Sequence, residues 1–332
     1  MDAPLVSIAV PFFNVARFLP AALDSLLAQD HPHWEALLWD DGSSDGSGNI
    51  AADYARRDPR FRLLGDGRNH GNPAALAQAL AQARGDFIGV LDGDDVLEAG
   101  ALSSMLAFMA AHPQLGVAYS RYVEIDEDGA LLRDGKRFLT PYSPLRLLVE
   151  FMTFHFRLIR TDAYRAVGGY DATMAESADY DLCLRLSERV AIGHLPMPLY
   201  RYRIRRSSVS HAGRLLQART SFEAALRALQ RRGMASNHTL TLGLRASHML
   251  TPMDAAARTV LIPLQDDETL FTDPAEVIRW GEGIEARQRA FIDAVTQRGL
   301  DAQYHASLRI ESRHILQQRA QPCGNDRRQG SL

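Results

Sequence analysis

Short apolar runs alternate with helical patterns along the first third of the chain. Four runs have the length and the polar flanks of buried strands, at 5–10, 34–39, 61–64 and 87–91. Four intervening or following segments repeat their apolar positions at helical spacing, at 18–27, 48–55, 73–83 and 100–111. Strands that alternate with helices in this way are typical of an α/β fold, and the pattern predicts a mostly parallel sheet flanked by helices.

The rhythm changes after residue 116. The predicted elements become shorter, with a hairpin at Asp126–Gly129, a strand near Phe156–Ile159 and a helix over Asp179–Arg189. From 213 onwards helical patterns dominate, and Ile284, Gln288, Phe291 and Val295 share one helical face, which predicts a packed helix pair. We therefore divide the chain into residues 1–115, residues 116–212 and a helical C-terminal extension over residues 213–332.

Composition narrows the class of protein. The chain has 332 residues, of which 46% are hydrophobic, enough for one large core and a smaller appendage. Its formal net charge of -3 argues against a nucleic-acid partner, which would need a basic excess. Cys183 and Cys323 fall in a predicted helix and a polar tail, so no disulfide is expected. No signal segment or membrane span is apparent, and we expect a cytoplasmic protein.

Polar residues follow the first two predicted strands. The first strand runs into Pro11-Phe12-Phe13-Asn14, and the second into Asp40-Asp41-Gly42-Ser43-Ser44-Asp45-Gly46. Ligands of open α/β sheets bind outside the carboxyl ends of the strands. Asp41 can accept a hydrogen bond from a nucleobase or a ribose, and Gly42 lets a ligand approach the backbone. The alternative is a plain turn with a helix cap, and the motif alone does not decide between the two.

Three carboxylates follow the fourth predicted strand, in Asp92-Gly93-Asp94-Asp95. Carboxylates gathered in one crevice repel one another and raise one another's pKa unless a cation compensates. Mg²⁺ or Mn²⁺, which prefer oxygen ligands and bridge to phosphates, would be the natural counter-charge. The alternative is a solvated acidic loop, but a position directly after a buried strand favours the metal site.

The order of these motifs resembles the family-two inverting glycosyltransferases of the GT-A fold. The resemblance covers about residues 4–210 and rests on Pro-x-Phe-Asn, then Asp-Asp-Gly-Ser, then Asp-x-Asp-Asp. It implies a GT-A Rossmann-like sheet, with residues 1–115 as the nucleotide-sugar-binding half. It also implies that residues 116–212 form the acceptor-binding half, which carries the catalytic base.

The same resemblance assigns roles to individual residues on the donor side. It implies that Pro11, Phe13 and Asn14 line the nucleotide site and that Asp41 reads the base.

In the acidic loop, Asp92 and Asp94 would form the Asp-x-Asp that holds the ribose and the metal, with Asp95 adjoining as a further metal ligand.

A second similarity lies on the acceptor side. Val167–Asp171 followed by Asp179–Leu186 is similar to the family's segment in which an Asp that opens a helix is the catalytic base, which implies that role for Asp179. A helix N-terminus keeps a carboxylate ionised, so it can take a proton from a hydroxyl. The alternative is an ordinary helix cap. The family usually has Glu before this Asp, whereas this chain has Ala178, with Glu176 two residues earlier.

Other positions also depart from the family pattern. Leu76 stands where an Arg is usual, and Arg205 stands where a His often precedes the serines of the segment Tyr200–Ser207. Arg203 or Arg205 would then clamp the donor diphosphate, because planar guanidinium groups suit phosphate oxygens. His211 is a weaker candidate as a third metal ligand.

The resemblance implies a metal-assisted single displacement. The sugar would move from a nucleotide-sugar donor, expected to be UDP-linked, to a hydroxyl of a glycan or a lipid-linked glycan, with Mn²⁺ or Mg²⁺ as cofactor. One alternative is a nucleotidyltransferase, although residues 12–17 lack the Gly-rich, lysine-bearing signature of that class. Another alternative is a glycan- or nucleotide-binding protein that has lost turnover.

The C-terminal extension suggests two kinds of partner. A predicted basic amphipathic helix would carry three arginines and three apolar residues, namely Arg309, Arg313, Arg319, Leu308, Ile315 and Leu316. Such a helix can lie on an anionic membrane, which would place the protein peripherally on the inner face of the membrane. An ordinary solvated helix face is the alternative. The C-terminal helices would also offer a surface for a homo-oligomer.

Overall fold

The computed structural model describes residues 3–205, 211–253, 259–264, 267–301 and 303–319. Contacts within the chain divide it into two units, residues 1–224 and residues 225–332. The second unit therefore begins at residue 225, inside a helix, whereas the sequence placed the start of the extension at residue 213.

The first unit carries an alternation of strands and helices that matches the predicted one over residues 1–115. In chain order its elements are β1 (Val6–Phe12), α1 (Leu19–Leu27), β2 (Trp34–Asp40), α2 (Ser47–Arg57), β3 (Phe61–Leu64), α3 (Asn72–Ala81), β4 (Phe87–Val90), β5 (Val96–Leu97), α4 (Ala101–Ala111), β6 (Leu115–Ile125), β7 (Leu131–Asp134), β8 (Arg157–Arg160), α5 (Thr161–Ala166), α6 (Ala178–Ser187), β9 (Ala191–Arg203) and α7 (His211–Arg231), which runs across the boundary between the units.

These strands form one sheet in the order β3-β2-β1-β4-β8-β6-β9-β5, with β7 attached to β6. The strands β1 to β4 pair in parallel, β8 is antiparallel to both β4 and β6, and β9 runs parallel to β6. The mixed α/β fold with a mostly parallel sheet is confirmed. The carboxyl ends of β1, β2 and β4 therefore share one edge of the sheet, and the first residues of β8 reach the same edge.

Apolar residues fill the strands at the centre of this sheet. Every residue of β1 is buried, and β2 is buried from Trp34 to Trp39. A strand that is covered by helices on both faces needs a nearly continuous apolar run rather than an alternating one. This explains why unbroken runs were the correct signal for these strands.

The long strands β6 and β9 were not predicted. Their sequences mix arginines, tyrosines and, in β9, two prolines, so neither reads as a simple alternating or apolar strand. The parallel pairing of β6 with β9 has register shifts, near Ser120 for example, which absorb these irregularities. The strand β5 has only two residues and pairs with β9, so that Val96 lies opposite Arg201. The acidic loop that follows β4 is thereby held at both of its ends.

The second unit combines a helix with a sheet. Its further elements are β10 (His238–Pro252), β11 (Val260–Pro263), β12 (Thr269–Phe271), α8 (Pro274–Gln297) and β13 (Tyr304–Gln318). The strand β10 pairs antiparallel with β13 along its whole length, and its other edge pairs with β12 and then β11. Ile284 of α8 packs against Ala246 of β10 and Leu308 of β13 in a small core.

The prediction of a helical C-terminal extension over residues 213–332 is wrong for residues 238–252, 260–263, 269–271 and 304–318, which form this sheet. The physical reason is visible in β10, where Leu240, Leu242, Leu244 and Ala246 are buried at the two-residue spacing of a strand. The apolar face of α8 is confirmed, with Ile284 buried, but it covers a sheet instead of a second helix.

The basic amphipathic helix is also wrong, because its residues belong to or follow β13. Arg309 pairs with Glu311, Arg313 pairs with Glu268, and Arg319 donates to the hydroxyl of Thr239. Leu308 is buried, while Ile315 and Leu316 lie opposite β10 residues in the sheet. The expected membrane contact thus loses the helix on which it depended, whereas the oligomer through C-terminal helices stays a prediction. No helix within the described part of the chain is long and apolar enough to cross a membrane.

Candidate functional site

The loops that follow β1 and β2 are tied together by Asn14. Its backbone N–H donates to the hydroxyl of Ser43 at 3.1 Å, and its side-chain oxygen accepts the N–H of Ser44 at 2.8 Å. The backbone of Asn14 has φ 51, a left-handed conformation that Asn tolerates better than most residues. The preceding Phe13 is left exposed at the edge of the sheet, while Pro11 still lies within β1 opposite Trp39.

Asp41 holds the loop that leads into α3. Its carboxylate is buried and accepts the backbone N–H groups of His70 at 2.7 Å and of Gly71 at 3.0 Å. Gly42 has φ +83, and a Cβ there would lie 3.0 Å from the backbone nitrogen of Asn69. The Asp-Gly pair therefore brings the 68–71 loop over the end of β2. Each carboxylate oxygen keeps a lone pair, so Asp41 can still accept a hydrogen bond from a ligand.

Asp95 is the most buried carboxylate of the acidic loop, with 1% exposure. One of its oxygens accepts the hydroxyl of Tyr200 at 2.8 Å, and the other accepts the backbone N–H of Arg203 at 2.7 Å. Burial raises the pKa of Asp95 well above its usual range, and the charges of Asp92 and Asp94 raise it further. These contacts favour a bracing role for Asp95 over the metal-ligand role that the sequence suggested.

Asp92 and Asp94 are the carboxylates of this loop that remain open to a ligand. Burial raises the pKa of Asp92 to about 7, and the charges of Asp94 and Asp179 contribute in the same direction. Arg205 places its Nε 2.8 Å from Oδ2 of Asp94 and offsets part of this negative charge. Gly93 separates Asp92 from Asp94. A larger residue would not fit at this position, because a Cβ there would come within 2.7 Å of the Cβ of Phe12.

This arrangement suits a divalent cation that takes part of its coordination from the substrate. Magnesium is commonly held by one or two carboxylates together with phosphate oxygens, and Asp92 and Asp94 would supply the two. Within the described ranges no three His, Cys, Asp or Glu side chains converge on one metal position. Each oxygen of Asp95 already accepts one hydrogen bond from the protein, whereas Asp92 and Asp94 are more open, and the three-carboxylate site stays a prediction.

Arg203 serves the protein backbone instead of facing the crevice. The residue is buried. Its Nε donates to the carbonyl of Asp94 at 2.7 Å, and its Nη1 donates to the carbonyls of Asp126 and Glu127. It thereby fastens the 126–129 turn to the acidic loop. Arg205, which is partly exposed and paired with Asp94, is better placed to meet a diphosphate. Residues 206–210, and the side chain of His211, lie outside the described residues.

Asp179 lies in the first turn of α6, close to the acidic loop. One of its oxygens accepts the N–H of Tyr180 at 2.8 Å, and the other lies 3.4 Å from Nη2 of Arg157. Its side chain is 31% exposed, and its charge is near enough to raise the pKa of Asp92. Asp181, by contrast, is buried and paired with Arg185 at 2.8 Å, so it is unavailable to a substrate.

Arg157 is the site residue that the sequence analysis missed. It is the first residue of β8, has 6% exposure, and donates from Nη1 to the carbonyl of Thr153 at 2.8 Å. Its charge acts on both Asp92 and Asp179. The only sequence signal was a positive charge at the start of an otherwise apolar strand, a place where a charged residue needs a partner.

Aromatic rings form the wall of the site behind the acidic loop. His155 stacks on Tyr200 with ring centres 4.7 Å apart and on Tyr202 at 6.0 Å. Burial lowers the pKa of His155 well below its usual value, and the charges of Arg157 and Arg137 lower it further. His155 is therefore a neutral packing partner for the tyrosine that braces Asp95.

The sheet, with an acidic loop at the carboxyl end of β4, defines a GT-A-type α/β protein. The mannosyltransferase PcManGT from Pyrobaculum calidifontis, solved in complex with GDP-Man and Mn²⁺, superimposes with a TM-score of 0.51 and 18% identity, covering 70% of this chain and 76% of that one. At that identity the likeness shows the fold alone.

Residues 7–168 match the family model described as Glycosyl transferase family 2. EpsE of Bacillus subtilis is 32% identical over 208 residues, which cover 61% of this chain and 74% of EpsE. The chain therefore belongs to glycosyl transferase family 2.

Longer polysaccharide synthases also match the chain. Chondroitin synthase of Escherichia coli is 29% identical over 231 residues, or 70% of this chain. The chain spans only 33% of the length of that synthase, so the activity of the whole synthase does not transfer to it directly.

Proposed function

We propose that this protein is an inverting glycosyltransferase that moves a sugar from a nucleoside-diphosphate sugar to a hydroxyl of a glycan or a lipid-linked glycan. The observation that carries the proposal is the position of Asp179, a partly exposed carboxylate at the start of α6 and within charge range of Asp92. A base for the acceptor and a pair of carboxylates for the donor thus share one crevice. Family membership supports the same reaction class over a nucleotidyltransferase.

The proposed displacement occurs in one step. Asp179 accepts the proton of the acceptor hydroxyl, and the hydroxyl oxygen forms the new bond to the anomeric carbon of the donor. The bond from that carbon to the nucleoside diphosphate breaks on the opposite face of the sugar, so the configuration inverts. Arg205, which lies against Asp94, neutralises charge that develops on the departing diphosphate.

Asp92 and Asp94 are the proposed ligands for Mg²⁺ or Mn²⁺. When bound, the ion would supply positive charge at the diphosphate oxygens. PcManGT was solved in complex with both GDP-Man and Mn²⁺, which is consistent with this proposal. The raised pKa of Asp92 is a second support, because burial and then the charges of Asp94 and Asp179 disfavour its ionised form, and a bound cation would offset both effects.

The donor nucleotide is proposed to lie along the ends of β1 and β2. Phe13 offers an exposed ring to the base, and Asp41 keeps lone pairs for a base or ribose donor. Asn14 would act mainly by fixing the loop that carries Phe13. Uridine is the base that the family resemblance favours, and the similarity to chondroitin synthase supports a role in polysaccharide biosynthesis.

The deciding experiment measures donor recognition and donor consumption together. A panel of UDP-, GDP- and TDP-sugars with Mn²⁺ is tested first for an increase in the unfolding temperature of the purified protein. The stabilising donor is then supplied with an isotope label and a mixture of oligosaccharide acceptors. We expect labelled product from the wild type, a strong reduction in Asp92→Asn, and wild-type behaviour in Asp53→Asn, which alters a carboxylate on α2 away from the crevice.

Two results would contradict the proposal. No stabilisation by any nucleotide sugar would remove the donor site. Stabilisation without consumption of the label, with or without acceptor, would instead identify a binding protein that has kept the fold without turnover.

A further inference from the structure

The exposed side chain of Arg137 lies over the rings of Phe151 and Phe154, which we call the aromatic shelf. The guanidinium carbon of Arg137 lies 4.4 Å from the centre of the Phe154 ring and 5.9 Å from that of Phe151. Cation–π contacts of this kind hold a guanidinium in place while leaving its N–H groups available. Among the described residues no carboxylate forms an ion pair with Arg137, although its side chain is exposed.

The aromatic shelf contacts two residues that adjoin Asp179, namely Tyr180 and Arg157. The ring of Phe151 lies 5.1 Å from the ring of Tyr180, the residue that follows the proposed base. The guanidinium of Arg157 lies 5.5 Å from the same Phe151 ring and 3.4 Å from the carboxylate of Asp179. One phenylalanine is therefore flanked by two arginines, of which Arg157 is paired with the base and Arg137 has no acidic partner in the described ranges.

The charge of Arg137 also reaches the crevice. Burial raises the pKa of Tyr202 to about 12, and the carboxylates of Asp95 and Asp92 raise it further, while Arg137 acts in the opposite direction. Tyr202 packs against Phe154 with ring centres 5.6 Å apart. Arg137 and the carboxylates of the acidic loop are thus both within charge range of the same tyrosine.

We propose that Arg137, Phe151 and Phe154 form a subsite for an acidic sugar of the acceptor, a proposal that rests on the proposed function. A carboxylate of that sugar would pair with the planar guanidinium, whose fork of donors matches its geometry. The apolar face of the sugar ring would lie against Phe151, which is partly exposed, while the buried Phe154 holds the guanidinium in place. The acceptor class is therefore an anionic glycan, and Arg137 determines specificity without touching the reacting atoms.

The geometry argues against a donor role for the same arginine. The donor diphosphate is proposed at Asp92 and Asp94, where Arg205 supplies the adjacent guanidinium. Arg137 also contacts Phe151, whose ring adjoins Tyr180, the residue that follows Asp179. A charged group of the acceptor can pair with Arg137 only if the acceptor extends along the shelf.

The test compares two acceptors that differ in one group. The first is an oligosaccharide that ends in a hexuronic acid, and the second is the same oligosaccharide with that carboxylate reduced to the hexose alcohol. Both are assayed with saturating donor in the wild type, Arg137→Gln, Arg137→Lys and Arg146→Gln. Arg146 is a matched control, because it is an exposed arginine in the same segment that contacts neither phenylalanine in the described structure.

We expect the wild type to prefer the acidic acceptor by about tenfold or more in kcat/KM, the usual effect of one charge-assisted hydrogen bond. Arg137→Gln should lose that preference through a higher acceptor KM, with kcat and the neutral acceptor little changed. Arg137→Lys should recover part of the preference, because it keeps the charge but not the planar fork. Arg146→Gln should behave as the wild type, and unfolding temperatures should confirm that all variants are folded.

The outcomes separate this proposal from the one on which it rests. Equal use of both acceptors, or a preference that survives in Arg137→Gln, would overturn the acidic subsite. Use of neither acceptor by an enzyme that still consumes or binds its donor would also overturn it and leave the transferase intact. A weaker donor affinity in Arg137→Gln would reassign Arg137 to the donor. Failure to bind any nucleotide sugar would refute the proposed function itself.

Discussion

The hydroxyl of Tyr200 donates a 2.8 Å hydrogen bond to Oδ2 of Asp95, across 105 residues of sequence. The same hydroxyl accepts the backbone N–H of Asp92 at 3.2 Å. One tyrosine from β9 therefore fixes both the buried carboxylate and the backbone of the loop that presents Asp92 and Asp94. The position of the proposed metal ligands depends on this bond.

The first prediction concerns that bond. Tyr200→Phe keeps the ring that stacks on His155 but leaves a buried oxygen of Asp95 without its donor. An unsatisfied buried group costs about 1–3 kcal/mol, so the free energy of unfolding should fall by that amount, and sugar transfer should fall as the loop shifts. Tyr202→Phe is the control, since no hydrogen bond of the Tyr202 hydroxyl is seen among the described residues. Equal stability and activity of the two variants would contradict the bracing role.

The second prediction tests Asp179 as the base. Asp179→Asn retains size but cannot take the proton, so the rate of transfer should fall by about 10²- to 10⁴-fold. Donor affinity should change little, because the carboxylate is proposed to meet the acceptor hydroxyl and not the diphosphate. The measurement pairs initial rates with calorimetric binding of the nucleotide. Glu176→Gln, which alters an exposed carboxylate three residues earlier, should be nearly neutral. If Asp179→Asn keeps more than about a tenth of the wild-type rate, another group is the base.

The third prediction concerns the metal. Excess chelator should abolish transfer, and added Mn²⁺ or Mg²⁺ should restore it. Asp94→Asn should weaken nucleotide binding as well as turnover, in contrast to Asp179→Asn, because it removes a proposed ligand and the partner of Arg205. Asp95→Asn should act differently again, mainly by lowering stability, since both oxygens of Asp95 accept hydrogen bonds from the protein. Full activity in chelator would refute the metal assignment.

The fourth prediction is a pH effect on stability that arises from His155. Its folded pKa lies well below the value of 6.5 expected in the unfolded chain, because it is buried. Below pH 6.5 the unfolded state therefore binds a proton that the folded state does not, and stability falls as pH falls, by up to about 1.4 kcal/mol per pH unit. His155→Phe keeps the stacking on Tyr200 and removes this dependence.

The measurement compares the pH dependence of stability in the wild type with that in His155→Phe. The free energy of unfolding is measured for the wild type and for His155→Phe at about pH 7.5 and pH 5.5. The wild type should lose more stability between the two values than the variant does. Identical losses would show that His155 is protonated in the folded protein or is not buried.

The sequence predicted the parts of the site that are carried by short contiguous motifs. Pro11, Asn14 and Asp41 lie at strand ends, and strand ends follow from local apolar runs. Asp92 and Asp94 could be placed for the same reason. The first two strands were within reach because each is a nearly continuous apolar run between polar loops.

The residues whose roles changed depend on contacts that are distant in sequence. Asp95 and Arg203 were assigned to the metal and the diphosphate because of their neighbours in sequence. Their actual partners come from β9 and from the 126–129 turn. Arg157 was overlooked because nothing local shows that β8 begins next to Asp179. Such long-range pairings follow from sheet order, which a single sequence does not reveal.

The arrangement of the second unit has a consequence for synthesis of the chain. The strand β10 is 15 residues long and is paired along its whole length with β13, which leaves the ribosome only after α8 has been made. Until then one edge of β10 has open backbone N–H and C=O groups, and such an edge is a template for pairing with other chains. The sheet of this unit can therefore close only late in translation. Fragments that stop within α8 should be insoluble even where the first unit has already formed.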